Sequence, residues 1–153
     1  MKYPRAIAVV IFLAALASCA TVPVSQREGR VEALVEELNT AGIERLAELS
    51  ARPFLFDGEI VILESDLNTM WTNLRAAGFA FDAATIDELG PVDEDTYRAF
   101  GDSMDVRAWF DRYAAEDAGL ARVRTTHGTF LILTGKRDGR TPRIFGFTGP
   151  TEG

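Results

Sequence analysis

The chain opens with Lys2 and Arg5 and an unbroken apolar run from Ala6 to Ala17. As a helix, that twelve-residue run would rise about 18 Å, against a hydrocarbon core of ~30 Å, so it is too short to span a membrane. A basic start, a short apolar middle and small residues after it predict a secretory signal peptide. Farther along, the pattern becomes helical. Ser25-Gln26-Arg27-Glu28 has the form of a capping box, and Val31, Leu34, Val35 and Leu38 follow at helical spacing. Asn39 to Gly42 interrupts, and Ile43, Leu46, Ala47 and Leu49 predict a second, shorter helix stopped by Arg52-Pro53. Phe54-Leu55-Phe56, Asp57-Gly58 and Glu59 to Leu63 predict a hairpin, because Asp-Gly suits the two positive-φ positions of a tight turn.

A third helix is expected from a cap at Ser65, with Leu67, Met70, Trp71 and Leu74 on one face and Gly78 closing it. Phe79 to Leu89 alternates as a strand, and Pro91 to Asp95 forms an acidic loop. Two short helical stretches follow. The first holds Tyr97 and Phe100, and the second places Val106, Trp109, Phe110 and Tyr113 at i, i+3, i+4 and i+7. After Gly119 the pattern predicts strands over Leu120 to His127, Thr129 to Thr134 and Thr141 to Thr148, with turns at Gly128 and at Gly135 to Gly139. This order predicts an α+β fold, with helices packed on one face of a curved, mostly antiparallel sheet. One domain over residues 27–148, followed by a tail at 149–153, accounts for the whole pattern.

Composition narrows the function classes. The chain has 153 residues, 47% of them apolar, a net charge of −7, one Cys and one His. An acidic surface has no general attraction for phosphates, so nucleic-acid binding is disfavoured. One Cys and one His cannot assemble a zinc site, a haem site or a disulfide framework, and no cofactor is expected.

Cys19 gives the leader a second meaning. Leu16-Ala17-Ser18-Cys19 resembles the lipobox of bacterial lipoproteins. The simpler alternative is an ordinary signal peptide that contains a Cys. The resemblance implies a signal peptide over residues 1–18, lipidation of Cys19 and a short tether over 19–26. Several acyl chains would hold such a protein stably on its membrane, where one chain binds only marginally. Ala20 after the Cys, where an Asp tends to retain a lipoprotein at the inner membrane, points to the outer membrane, facing the periplasm. Without the leader, 14 basic and 23 acidic residues remain, a net charge of −9.

The element order, and the stretch Pro53 to Val61 (PFLFDGEIV) followed by an aromatic-bearing helix, resemble the nuclear-transport-factor-2-like superfamily, also called SnoaL-like or cystatin-like. That resemblance implies a cone with one open end and an apolar pocket. The stretch from Pro91 to Ala115 is an insert relative to the simplest members. The superfamily holds isomerases, hydrolases and non-catalytic binding modules, so the fold alone does not choose a function.

The candidate chemistry is sparse. His127 is the one side chain whose ordinary titration lies near neutral pH, and beside Gly128 it reads most simply as a solvent-facing turn residue. Asp57 is the second proton-transfer candidate, since a carboxylate in an apolar pocket can act as a base; its turn position offers a plainer role. Glu59, Asp66, Asp82 and Asp87 are scattered carboxylates. Gly101-Asp102-Ser103 matches a serine-hydrolase fragment, yet a helix N-cap explains the same residues. Asp87, Glu88, Asp93, Glu94 and Asp95 lack the spacing of a calcium loop. Among the aromatics, Trp71, Tyr113, Phe56 and Trp109 are the expected pocket walls. The expected function is a membrane-anchored envelope lipoprotein whose non-catalytic domain binds a small apolar ligand or an envelope protein. The alternative is a small cofactor-independent isomerase, lyase or hydrolase. A third class is an assembly factor docking through an open sheet face.

Overall fold

The computed structural model describes residues 24–114, 118–135 and 142–151. The leader with Cys19, most of the expected tether, and the turn after Gly135 lie outside the described residues. Among the described residues, four α-helices and six strands form an α+β fold. Helix α1 spans Val24–Thr40 and α2 spans Ile43–Leu49. Strands β1 (Ser50–Phe56) and β2 (Glu59–Val61) make the hairpin, and α3 spans Glu64–Ala76. Strand β3 (Thr85–Pro91) precedes a 3₁₀ turn at Thr96–Ala99 and helix α4 (Met104–Trp109), which widens into a π-helical turn at Phe110–Ala114. Strands β4 (Gly119–Thr125), β5 (Gly128–Gly135) and β6 (Arg143–Thr151) complete one sheet in the order β2-β1-β6-β5-β4-β3. All neighbours are antiparallel except β1 and β6.

Several boundaries move for identifiable reasons. Helix α1 already includes Ser25, so the residues expected to cap it, and the end of the tether, are helical. Helix α3 likewise starts before Ser65, with Leu63 at its cap position. Pro53 sits inside β1 rather than at a helix end; Ser50 turns the chain extended three residues earlier. The last strand, β6, runs on to Thr151, past the expected strand end at Thr148. The largest shift is at Phe79 to Leu89. Pairing begins only at Thr85, and residues 79–84 form an irregular segment that follows Gly78 and contains Ala83, both at positive φ.

The sheet is buried on both faces. Toward α1, α2 and α3, Phe54, Ala121, Val123, Phe130, Ile132, Ile144 and Phe147 meet Leu34, Leu38, Leu46, Leu49, Leu67 and Trp71. Toward the insert, Leu55, Leu131 and Leu133 meet Tyr97, Phe100, Val106, Trp109, Phe110 and Ala114. Successive strand residues point to opposite faces, so pairs such as Phe54-Leu55 and Phe130-Leu131 feed one core each. Helices therefore cover both faces, which corrects the expectation of helices on one face only. The second face is thus covered by the segment that holds the 3₁₀ turn, α4 and the π-helical turn. The sheet edges are short or interrupted: β2 has three residues, and β3 carries a bulge between Ile86 and Glu88.

Candidate functional site

The space between the sheet and α1–α3 is where a cone would keep its pocket, and here aromatic rings fill it. Trp71 stacks on Phe147 with ring centres 5.7 Å apart, and Phe54 tilts against Trp71 and meets Phe147 edge-on. Phe56 lies 5.0 Å from the Phe147 ring. From the irregular segment, Phe79 stacks on Phe147 at 5.5 Å and meets Phe130 edge-on at 5.7 Å, while Phe81 packs against Phe130 at 5.1 Å. The Trp71 indole donates a 3.1 Å hydrogen bond to the buried Ser50 hydroxyl, which in turn donates to the Leu46 carbonyl. Trp71 thus spends its polar tip inside the core.

The four expected pocket walls are not brought together. Trp71 and Phe56 belong to the helix-side core, whereas Trp109 belongs to the insert-side core and donates from its indole to the Pro53 carbonyl at 3.3 Å. Tyr113 packs on Trp109 and is 39% exposed. The α-helical stripe Val106, Trp109, Phe110 predicts Tyr113 on the same side. The π-helical turn holds more residues per turn than an α-helix and carries Tyr113 off that stripe.

Both proton-transfer candidates lie on turns. His127 Nε2 is 3.4 Å from Asp82 Oδ2, and both side chains are about 60% exposed. Asp57 takes the left-handed turn position at φ 49°, and its carboxylate accepts from the Thr148 hydroxyl at 2.8 Å, tying the hairpin to β6. The remaining acidic candidates serve the surface. Asp87 pairs with Arg124, Glu88 with Arg122 and Asp95 with Arg98. The Thr96 hydroxyl donates to Asp93 at 2.7 Å and holds its carboxyl below the usual range, helped by the Asp95 backbone N–H. Among the described residues no group of three or more such side chains could hold a metal ion. Ser103 caps α4, accepting from the Val106 N–H at 3.1 Å. The buried polar side chains among the described residues are Ser50, Thr96, Thr125 and Thr148; none is ionisable near neutral pH.

Asn39 has a role that no sequence signal marked. Its amide spans the backbone of Phe81, donating to the Phe81 carbonyl at 3.2 Å and accepting from the Phe81 N–H at 2.8 Å. In sequence it reads only as an interruption between two helices. Beside it runs an open groove of about 550 Å³, walled by Val35, Asn39, Phe81, Ala83, Ala84 and Ile86 and rimmed by glutamates of α1. A second open groove, between α2 and α3 near Arg52 and Arg143, is lined mainly by charged side chains.

Compared with known protein families, curated proteins and solved structures, the chain has no significant match. No helix among the described residues is long and apolar enough to cross a membrane.

Proposed function

We propose that this chain is a lipid-anchored envelope lipoprotein with a non-catalytic nuclear-transport-factor-2-like (SnoaL-like) domain that binds a small apolar ligand or an envelope protein. The observation that carries the non-catalytic half is the position of His127 and Asp57. General acid–base catalysis needs a group within hydrogen-bond reach of a bound substrate, in a place that restricts water. His127 and Asp57 instead stand on solvent-facing turns, while the interior between helices and sheet is aromatic. The superfamily reading is supported by the order of two helices, hairpin, helix and later strands on one mostly antiparallel sheet.

The anchoring half rests on Leu16-Ala17-Ser18-Cys19 behind a short apolar run, and localises the protein to the outer membrane, facing the periplasm. A thiol is the one side chain there that can carry a thioether-linked diacylglycerol. Cys19→Ser should therefore accumulate an unprocessed chain that retains its leader and lacks acyl mass. Correct processing and membrane extraction of Cys19→Ser, seen by intact-mass measurement, would exclude the lipoprotein. Native mass spectrometry of the protein taken from its own membrane tests the binding half, since a retained ligand or partner appears as added mass.

A further inference from the structure

We propose that residues 78–84 form a strap whose Phe79 and Phe81 rings stopper the domain's own ligand site, and that an uncharged aromatic molecule enters by displacing them. The inference rests on the binding-module reading and adds where the ligand goes and what holds the door. Three observations meet at this segment. It lies between α3 and β3 and makes no strand pairing, yet it inserts two rings into the core, and Phe81 is 1% exposed. Both ends carry backbone of the kind that lets a segment swing. Gly78 sits at φ 76°, and Ala83 holds φ 51°, a region where a residue with a Cβ is strained. Phe81 also lines the solvent-facing groove while its ring packs on Phe79, Phe130 and Phe147, so it stands between the groove and that cluster.

Few polar ties hold the strap closed. The Asn39 amide clamps the Phe81 backbone. On the other side the Thr126 N–H donates to the Asp82 carbonyl at 3.1 Å, and His127 pairs with the Asp82 carboxylate across solvent. At its start the Gly78 and Phe79 N–H groups donate to the Arg75 and Leu74 carbonyls of α3 at 3.0 and 2.9 Å. The remaining hold is aromatic: Phe79 and Phe81 pack on each other and both contact Phe130 and Phe147. An apolar, ring-bearing ligand restores those contacts when the two rings leave, and a polar ligand does not. The apparent affinity is then the intrinsic affinity scaled by the fraction of molecules with the strap open. Weakening a tie that exists only in the closed state raises that fraction.

The test titrates the full chain with N-phenyl-1-naphthylamine in lipid-free buffer. Probe fluorescence gives the affinity. The ring resonances of His127, the sole histidine, report the strap because His127 lies against Asp82. The expected result is probe binding by the unmodified chain with a displaced His127 resonance. Asn39→Ala and the milder Asn39→Asp, which keeps the acceptor and loses the donor, should bind about tenfold more tightly, the scale of one or two hydrogen bonds. Binding with an unmoved His127 resonance, and equal affinity in whichever Asn39 variant folds, would overturn the strap and leave the binding module standing. An absence of binding by the unmodified chain and by a folded Asn39 variant would overturn both the strap and the apolar-ligand reading.

Discussion

Ser50 and Trp71 show how one polar pair is accommodated in an aromatic core. Both are fully buried, and the serine hydroxyl accepts from the indole while donating to Leu46. A buried donor without a partner costs about 1–3 kcal/mol, more than a satisfied hydrogen bond contributes. Ser50→Ala should therefore destabilise the protein by about that amount, because it orphans the Trp71 N–H. In Trp71→Phe, which has no N–H, the same serine substitution should cost less. A double-mutant cycle from urea unfolding measures the difference, and equal costs in both backgrounds would mean that the hydrogen bond carries no net stability. His127 and Asp57 are the contrasting case: polar side chains at the surface, paired with Asp82 and Thr148, whose geometry is that of turns.

Among the elements, β1 and β6 meet at a close junction. It is the sheet's one parallel pair, and Gly146 faces Leu55 across it. A methyl on Gly146 would lie on the Leu55 carbonyl and 2.8 Å from the Leu55 Cβ. Overpacking at rigid backbone costs about 3 kcal/mol, so Gly146→Ala should lower stability by roughly that much, read as a reduced urea midpoint at constant slope. An unchanged midpoint would show that β1 and β6 can separate freely. Which elements were legible in sequence follows from which signals are local. The hairpin was legible because Asp57 and Gly58 both need positive φ, and both have it. Helix α3 was legible because Leu67 and Trp71 repeat at the helical period and are both buried. Phe79 and Phe81 alternate as a strand does, yet alternation reports burial and not pairing. They reach the core from a segment that pairs with nothing until Thr85. The expected pocket walls fall on two faces for a related reason. Periodicity says that Trp71 and Trp109 each face inward, but not which side of the sheet is inward for each.

At the scale of the whole molecule, two cores share one sheet, and each holds one of the two tryptophans. Trp71 lies on the helix side and Trp109 on the insert side. A true insert, added to a finished cone, would unfold on its own and leave the first core intact. The packing argues against that here. Leu55, Leu131 and Leu133 are wholly or almost wholly buried beneath the insert, and they stand on the same strands that supply Phe54, Phe130 and Ile132 to the other side. Uncovering one face would expose apolar surface along strands that the other face needs, which couples the two. Phe110→Ala, in the π-helical turn, should then cost about 3–5 kcal/mol, a large share of the 5–15 kcal/mol typical of a domain. Its effect should reach both tryptophans. Urea unfolding followed in Trp71→Phe reads the insert side through Trp109, and in Trp109→Phe it reads the helix side through Trp71. Adding Phe110→Ala should lower the two midpoints together. If the Trp109 signal moves to lower urea while the Trp71 signal stays in place, the insert is a separable layer and the sheet does not couple the cores.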